Sequence, residues 1–271
     1  MPQYHDGSRA DTLRQLASRL RQLQAGRGTT AHRTGREIIS SGMPDLDRLL
    51  PDGGFRRGTL VEWLADGPGT GVERLLLQVV PPALQEGGVC LVIDPRQEFS
   101  PALAAAMNID LQRTLLVRPG RAEDAVWAAE QSLRCPGVAV TIAWSELLDR
   151  SAENRILRRL QLAAETGGGL GVLLRPASLQ GQPSWADIRL LVRPVPPGAR
   201  GAPPAAPVHS LHKETDVAPE GVRHWMELDI LHCRGGLGSR AAFLEIDDET
   251  GAVHLVSELA DSTSSPRATG A

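Results

Sequence analysis

Lysine is nearly missing from this chain: Lys213 is the only one in 271 residues, so chemistry that needs an ammonium group anywhere else has no donor. Arginine supplies the rest of the positive charge. A biased base composition accounts for that preference in general, but it does not turn a functional lysine into another residue type. Cysteine is scarce too. Cys90, Cys135 and Cys233 are odd in number and lie far apart, which excludes a disulfide framework and reads as reduced thiols. No apolar run approaches the length of a membrane span, and the start Met1-Pro2-Gln3-Tyr4-His5-Asp6 has no basic segment followed by an apolar core. A soluble cytoplasmic protein without membrane contact is the expectation. Tryptophan apart, aromatics are few, so single-stranded nucleic acid would find few stacking platforms. Neither a Gly-x-Ser-x-Gly elbow nor a helical His-Glu-x-x-His is present.

The net charge of −3 exerts no overall pull toward nucleic acid, but the charge is unevenly spread. Arg9, Arg14, Arg19, Arg21, Arg27, Arg33 and Arg36 stand against Asp6 and Asp11 at the start. Glu245, Asp247, Asp248, Glu249, Glu258 and Asp261 have no lysine or arginine among them near the end. The two ends therefore face different partners, or each other.

The most informative stretch is Val61-Glu62-Trp63-Leu64-Ala65-Asp66-Gly67-Pro68-Gly69-Thr70-Gly71-Val72-Glu73-Arg74. It has the strand, glycine loop and helix start of a phosphate-binding loop. Such a loop requires a glycine, four free positions and then Gly-Lys-[Ser/Thr]; backbone amides cradle phosphate, the lysine reaches the outer phosphates and the hydroxyl holds Mg²⁺. With Gly71 as the second glycine, Asp66 takes the place of the first, Val72 that of the lysine and Glu73 that of the hydroxyl. An isopropyl group offers a triphosphate no charge, and the two carboxylates repel it. A carboxylate does suit an empty helix N-terminus, where it answers the free amides and the positive end of the dipole. The degenerate loop of Asp66, Gly67, Gly69, Gly71, Val72 and Glu73 is thus expected to be stable without a cofactor, with no catalytic residue and no metal. An ordinary Gly-Pro turn with no nucleotide-binding ancestry fits the same residues.

Leu13, Leu16, Leu20 and Leu23 recur at spacings of three and four, an amphipathic helix with one apolar stripe. The polar linker from Gly26 to Gly35 sets it apart, so it folds back on its own core or docks on another chain; both bury the stripe. Strands are predicted at Leu60–Leu64, Val89–Ile93, Thr114–Val117, Val138–Ala143 and Leu170–Leu174. Helices are predicted at Val72–Val80, Ser100–Met107, Ala122–Leu133 and Ser151–Glu165, with Pro81-Pro82 breaking the first before Ala83 to Glu86. Alternation of this kind implies a largely parallel sheet with helices on both faces. From Asp187 the helices stop, and Ile188–Val192, Trp225–Leu231, Ala241–Ile246 and Val253–Val256 read as an antiparallel extension. Pro194 to Pro219 is too rich in proline and small residues to pack and reads as a mobile loop.

His209, His212, His224, His232 and Cys233 lie close in sequence, but they lack paired cysteines, and His232 and Cys233 point to opposite faces of a strand; they read as bystanders rather than zinc ligands. Gly235-Gly236-Leu237-Gly238-Ser239 between two strands reads as a hairpin turn. Arg155, Arg158 and Arg159 read as a solvated helix face, while Arg234 and Arg240, flanking the hairpin turn, are candidate DNA contacts of weak affinity.

From about Glu37 to Glu258 the order of elements resembles the RecA recombinase core. The resemblance rests on Ser41-Gly42-Met43-Pro44-Asp45-Leu46-Asp47, Gly53-Gly54-Phe55-Arg56-Arg57-Gly58-Thr59-Leu60 and Cys90-Leu91-Val92-Ile93-Asp94. It is weaker at Ser184 to Arg193, which resembles the recombinase strand after the DNA-binding loop, and at Trp225 to Gly236. Where recombinases place a water-activating glutamate, this chain has Arg96; where the Val138 strand should end in a metal-holding acid, it has Ala143-Trp144, and Glu146 follows too late. The combined loss resembles the ImuA-like branch of the superfamily, which is related to the SulA division inhibitors.

That resemblance implies a RecA-like core over 37–259, after an N-terminal helix and linker over 1–36 and before an unstructured tail over 260–271. It further implies a pseudo-ATPase that assists translesion synthesis in the SOS response to DNA damage. Its partners would be an ImuB-like homologue of the Y-family polymerases, RecA, and through them an error-prone replicative polymerase. Leu13, Leu16, Leu20, Leu23 and Trp225 are the expected contact residues. Two alternatives are an ATPase in which Arg74 or Arg96 replaces the lysine, and a SulA-like inhibitor of a division protein.

Overall fold

A computed structural model describes residues 18, 37–65, 70–144, 153–195, 223–234, 240–247 and 253–259; the side chains of 223, 224, 240, 247 and 255–259 are not among those described. Leu13, Leu16, Leu20, Leu23, the Gly26–Gly35 linker, Asp66, Gly67, Gly69, Glu146, His209, His212, Gly235–Ser239, most of the Pro194–Pro219 segment and the tail lie outside them.

Leu60–Ala65 is the central strand, and each of its six residues is buried, as expected for a parallel strand covered on both faces. In chain order the strands are β1 (Ile38–Ile39), β2 (Phe55–Arg56), β3 (Leu60–Ala65), β4 (Val89–Ile93), β5 (Thr114–Val117), β6 (Val138–Trp144), β7 (Leu170–Pro176), β8 (Ile188–Pro194), β9 (Arg223–Cys233), β10 (Arg240–Asp247) and β11 (Val253–Leu259). The helices are α1 (Pro44–Leu49), α2 (Val72–Leu77), α3 (Val80–Leu84), α4 (Pro101–Ala106), α5 (Ala122–Arg134) and α6 (Glu153–Gly167). Among the described residues nine strands form one sheet, in the order β11-β10-β9-β8-β3-β7-β6-β4-β5. β5, β4, β6, β7, β3 and β8 run parallel, and β9 to β11 add on antiparallel. The antiparallel extension read from the sequence thus continues the same sheet.

Alternation along β3 assigns its two faces. Val61, Trp63 and Ala65 join an apolar cluster with α1 to α4, β9 and β10, whereas Leu60 joins a second cluster beneath α5 and α6. In α5, Ala125, Ala129 and Leu133 supply the buried stripe; in α6, Leu157, Leu160, Ala163 and Ala164 do so. The two helices approach closely where α6 ends, because a Cβ on Gly167 would collide with the Leu133 carbonyl. Ser132 and Thr141 share a buried hydroxyl pair at 2.6 Å, tying α5 to β6.

Two local expectations are corrected. The helix from Val72 ends at Leu77, and the break falls at Gln78 and Val79, ahead of the prolines. Pro81 and Pro82 sit in the first turn of α3, where a missing N–H leaves no intrahelical bond unmade. The hairpin of β1 with β2, and α1 between them, were not predicted as elements, since two-residue strands carry no periodicity. Ser100 does cap α4, its Oγ accepting from the Leu103 amide at 3.2 Å.

Candidate functional site

β3 lies between β7 and β8, and the chain leaves it to form β4 on the far side of β7 and β6. The order of strands reverses beside β3, so the crevice at its carboxyl end is where an open α/β sheet takes a ligand. The turn at Thr70 and Gly71 follows this end of β3. Thr70 is buried, and Gly71 takes φ of +75°, a left-handed conformation that glycine tolerates and side chains resist. The Gly71 carbonyl then accepts from the Arg74 amide at 3.0 Å, starting α2.

The side chains around this turn are apolar where a phosphate site needs charge. Val72 is 0 % exposed and packs into the apolar core rather than lining a polar mouth. Met226 of β9 covers Gly71: a Cβ there would fall within 3.0 Å of the Met226 methyl, with Ile246 of β10 next to it. Trp144, at the tip of β6, is buried in the same cluster with Phe99, and its indole Nε1 has no hydrogen-bond partner among the described residues.

Glu73 follows the turn at the start of α2, with Glu98 near it. Burial pushes the Glu73 carboxyl above the ordinary glutamate range; its own backbone amide opposes this and the nearby Glu98 carboxylate adds to it. Asp94, fully buried after β4, accepts from the amides of Glu98 at 2.9 Å and Phe99 at 3.1 Å, and Arg118 Nε lies 3.8 Å away. Arg96 reaches Glu98 at 3.4 Å on the surface. Arg74 is half-buried on α2. The residues present do not fit a triphosphate: the lysine position is inside the core, a methionine stands over the loop glycine, and Glu73 and Glu98 add negative charge. Among the described residues no three His, Cys, Asp or Glu side chains are placed to hold a metal ion. A cavity of about 600 Å³ lies elsewhere, lined by Ile38, Ile39, Ser40, Gly42, Pro44, Arg57, Pro82, Gln85 and Glu86, with no loop residue in its wall.

One cluster escaped the sequence reading. Glu62, fully buried in the middle of β3, accepts from Arg175 Nη1 at 2.6 Å and Ser184 Oγ at 2.8 Å through Oε1, and from Arg189 Nε at 2.8 Å through Oε2. Arg189 also donates to the carbonyls of Leu179, Gln180 and Gln182 at 3.0 to 3.1 Å, and Arg175 meets Glu153 at the start of α6. The segment between β7 and β8 is thereby tied to the central strand. The signal was available: Glu62, Arg175 and Arg189 each interrupt an otherwise apolar strand, and charges buried in adjacent strands must pair.

The other sequence-predicted residues scatter. Trp225 is half-buried on β9, and its carbonyl accepts from Val195 at 2.8 Å. Arg234 pairs with Asp187 at 3.0 Å while staying largely exposed; the Arg240 side chain is outside the description. On α6, Arg158 stacks over Trp185 at 4.5 Å and Arg159 meets Glu130. His232 is exposed and Cys233 buried, on opposite faces as expected. All three cysteines are free and buried, and burial pushes the Cys90 thiol up to about 12.

A central strand, glycine turn and helix at the switch point of a mostly parallel sheet, with an antiparallel continuation, make up a RecA-like α/β core. The comparisons agree. The RecA N-terminal domain family matches residues 22–147. Protein RecA of Nitrobacter winogradskyi is 30% identical over 175 residues, covering 61% of this chain and 46% of that protein. Protein RecA of Rhizobium leguminosarum bv. trifolii is 33% identical over 107 residues, 39% of this chain and 29% of that protein. The chain spans less than half the length of these curated relatives. These similarities support membership of the RecA superfamily. No helix among the described residues is long and apolar enough to cross a membrane.

Proposed function

We propose that this chain is a non-catalytic, ImuA-like accessory protein of DNA-damage tolerance, cytoplasmic, that works by contact with other proteins rather than by ATP hydrolysis. The observation that carries this reading is the loop itself, with Val72 buried in the core and Met226 laid over Gly71. A RecA-like core keeps its docking surfaces when its nucleotide chemistry is lost, because fold and site are separable. The short, tied connection between β7 and β8 supports the same reading, since it leaves direct DNA binding through that segment little freedom. The proposed partners are an ImuB-like polymerase homologue and RecA, and through them an error-prone replicative polymerase. The leucine-striped segment around Leu13, Leu16, Leu20 and Leu23 and the region from Trp225 onward are the proposed contacts.

Titration of the full chain with a fluorescent ATP analogue and Mg²⁺ tests the first half. No saturable binding is expected up to about 1 mM, where binding free energy falls to about 4 kcal/mol. Micromolar, Mg²⁺-dependent affinity that disappears in Arg74→Ala would instead establish an ATPase-type site. For the second half, an ImuB-like protein is captured by the full chain and by a chain starting at Glu37. Capture is expected to fall in the shorter chain, and equal capture removes the leucine segment from the interface.

A further inference from the structure

Helix α6 carries a stripe of exposed side chains: Arg155, Arg159, Leu162, Glu165 and Thr166. Leu162 is 40% exposed at its centre. Trp185, 37% exposed, lies against the N-terminal half of the same helix, its Nε1 donating to Asn154 Oδ1 at 2.5 Å and its ring lying under the Arg158 guanidinium. The exposed tryptophan is therefore held in one orientation before any partner arrives. Glu153, in the first turn, is taken up by Arg175, and beyond it charge divides about Leu162. Arg155, Arg158 and Arg159 precede Leu162, and Glu165 follows it.

We infer that this face of α6 docks a second copy of the chain across a two-fold axis passing through Leu162. Arg159 lies three residues before Leu162 and Glu165 three after it. An antiparallel copy with leucine against leucine therefore sets each Arg159 opposite the other copy's Glu165, and Arg158 opposite Thr166. A two-fold contact requires such self-complementarity. Arg159 also meets Glu130 of its own chain, and a guanidinium has donors enough for both carboxylates. A nucleic acid fits the face less well. Arg158 covers one face of the Trp185 ring, Asn154 takes its N–H, and Leu162 and Glu165 sit where phosphates would run. The helix has 15 residues, about 22 Å of length, so the contact is small and the dimer weak. The inference does not depend on the nucleotide reading, since α6 is remote in sequence from the glycine loop.

Sedimentation equilibrium of the full chain from about 1 to 200 µM tests it, with a dimer Kd expected on the order of 10 to 100 µM for a small interface. Leu162→Glu should raise Kd more than about tenfold, and Arg159→Glu and Glu165→Arg should each weaken the dimer, while the double variant returns to within about threefold of wild type. All three positions tested, Leu162, Arg159 and Glu165, are at the surface, and thermal melts confirm that the variants fold. A wild-type chain monomeric at the highest concentration, a dimer indifferent to Leu162→Glu, or a double variant no better than the singles overturns the inference. So does saturable binding of a single-stranded oligonucleotide abolished by Arg159→Glu in a monomeric wild type.

Discussion

The Met226 methyl rests against Gly71, on the side where any other residue would carry its β-carbon. Gly71 is thus required twice over, by its φ of +75° and by the methionine that fills the space beside it. Met226 is itself 3% exposed, so the contact joins the antiparallel extension to the start of α2 through the core.

Gly71→Ala is expected to cost about 1 to 3 kcal/mol in urea denaturation, from left-handed strain and the collision together. In a Met226→Ala background the loss should shrink by about 0.5 to 1 kcal/mol. Equal losses in the two backgrounds would show that the methionine does not press on this turn.

Restoring the missing groups should not restore binding. Val72→Lys with Glu73→Thr places an ammonium in an apolar core, at a cost of roughly 3 kcal/mol or more and a Tm lower by roughly 6 to 12 °C. Calorimetry with Mg²⁺-ATP is expected to stay flat for this variant. Micromolar binding would mean that the loop reopens once its lysine returns.

Glu73 carries a pH signature. Its carboxyl is raised in the folded state, so its contribution to stability is full below the ordinary glutamate pKa and is lost as pH rises through the raised value. Glu73→Gln should therefore stabilise the protein at pH 7, by less than about 1 kcal/mol because solvent screens a half-exposed group. The advantage should vanish towards pH 4. An advantage that grows on acidification contradicts the burial argument.

Removing Glu62 leaves Arg175 and Arg189 without their buried counter-charge. Glu62→Ala is expected to cost about 3 to 5 kcal/mol in chemical denaturation, whereas Ser184→Ala should cost only about 1 kcal/mol, the value of one hydrogen bond. Limited proteolysis of Glu62→Ala should begin between Leu179 and Asp187, the segment that Arg189 holds. Cleavage confined to other segments would separate the network from the order of this loop.

Much of the architecture was legible because the core strands are apolar runs of β-branched and leucine residues, and such runs state their own burial. Thr114–Val117 coincides with its predicted bounds, and Ser100 followed by Pro101 announces α4. The break was expected at the prolines themselves, but it falls four residues before each, at Leu77 and Gln78, whose carbonyls Pro81 and Pro82 have no N–H to donate to. The short hairpin of β1 and β2 had no pattern long enough to read. At the site, Val72 and Glu73 were legible as residue types, whereas Glu98 and Met226 entered through the turn after β4 and the pairing of β9.

Residue identity alone determined that Val72 and Glu73 stand where a phosphate-binding loop has its lysine and hydroxyl, since a valine is uncharged and a glutamate acidic in any conformation. Local periodicity likewise determined the alternation of strand and helix. Only the tertiary structure decided that Met226 covers Gly71 and that Glu62 meets two arginines, because both depend on strand order and register. These bring distant residues within a few ångströms, where packing and charge pairing act.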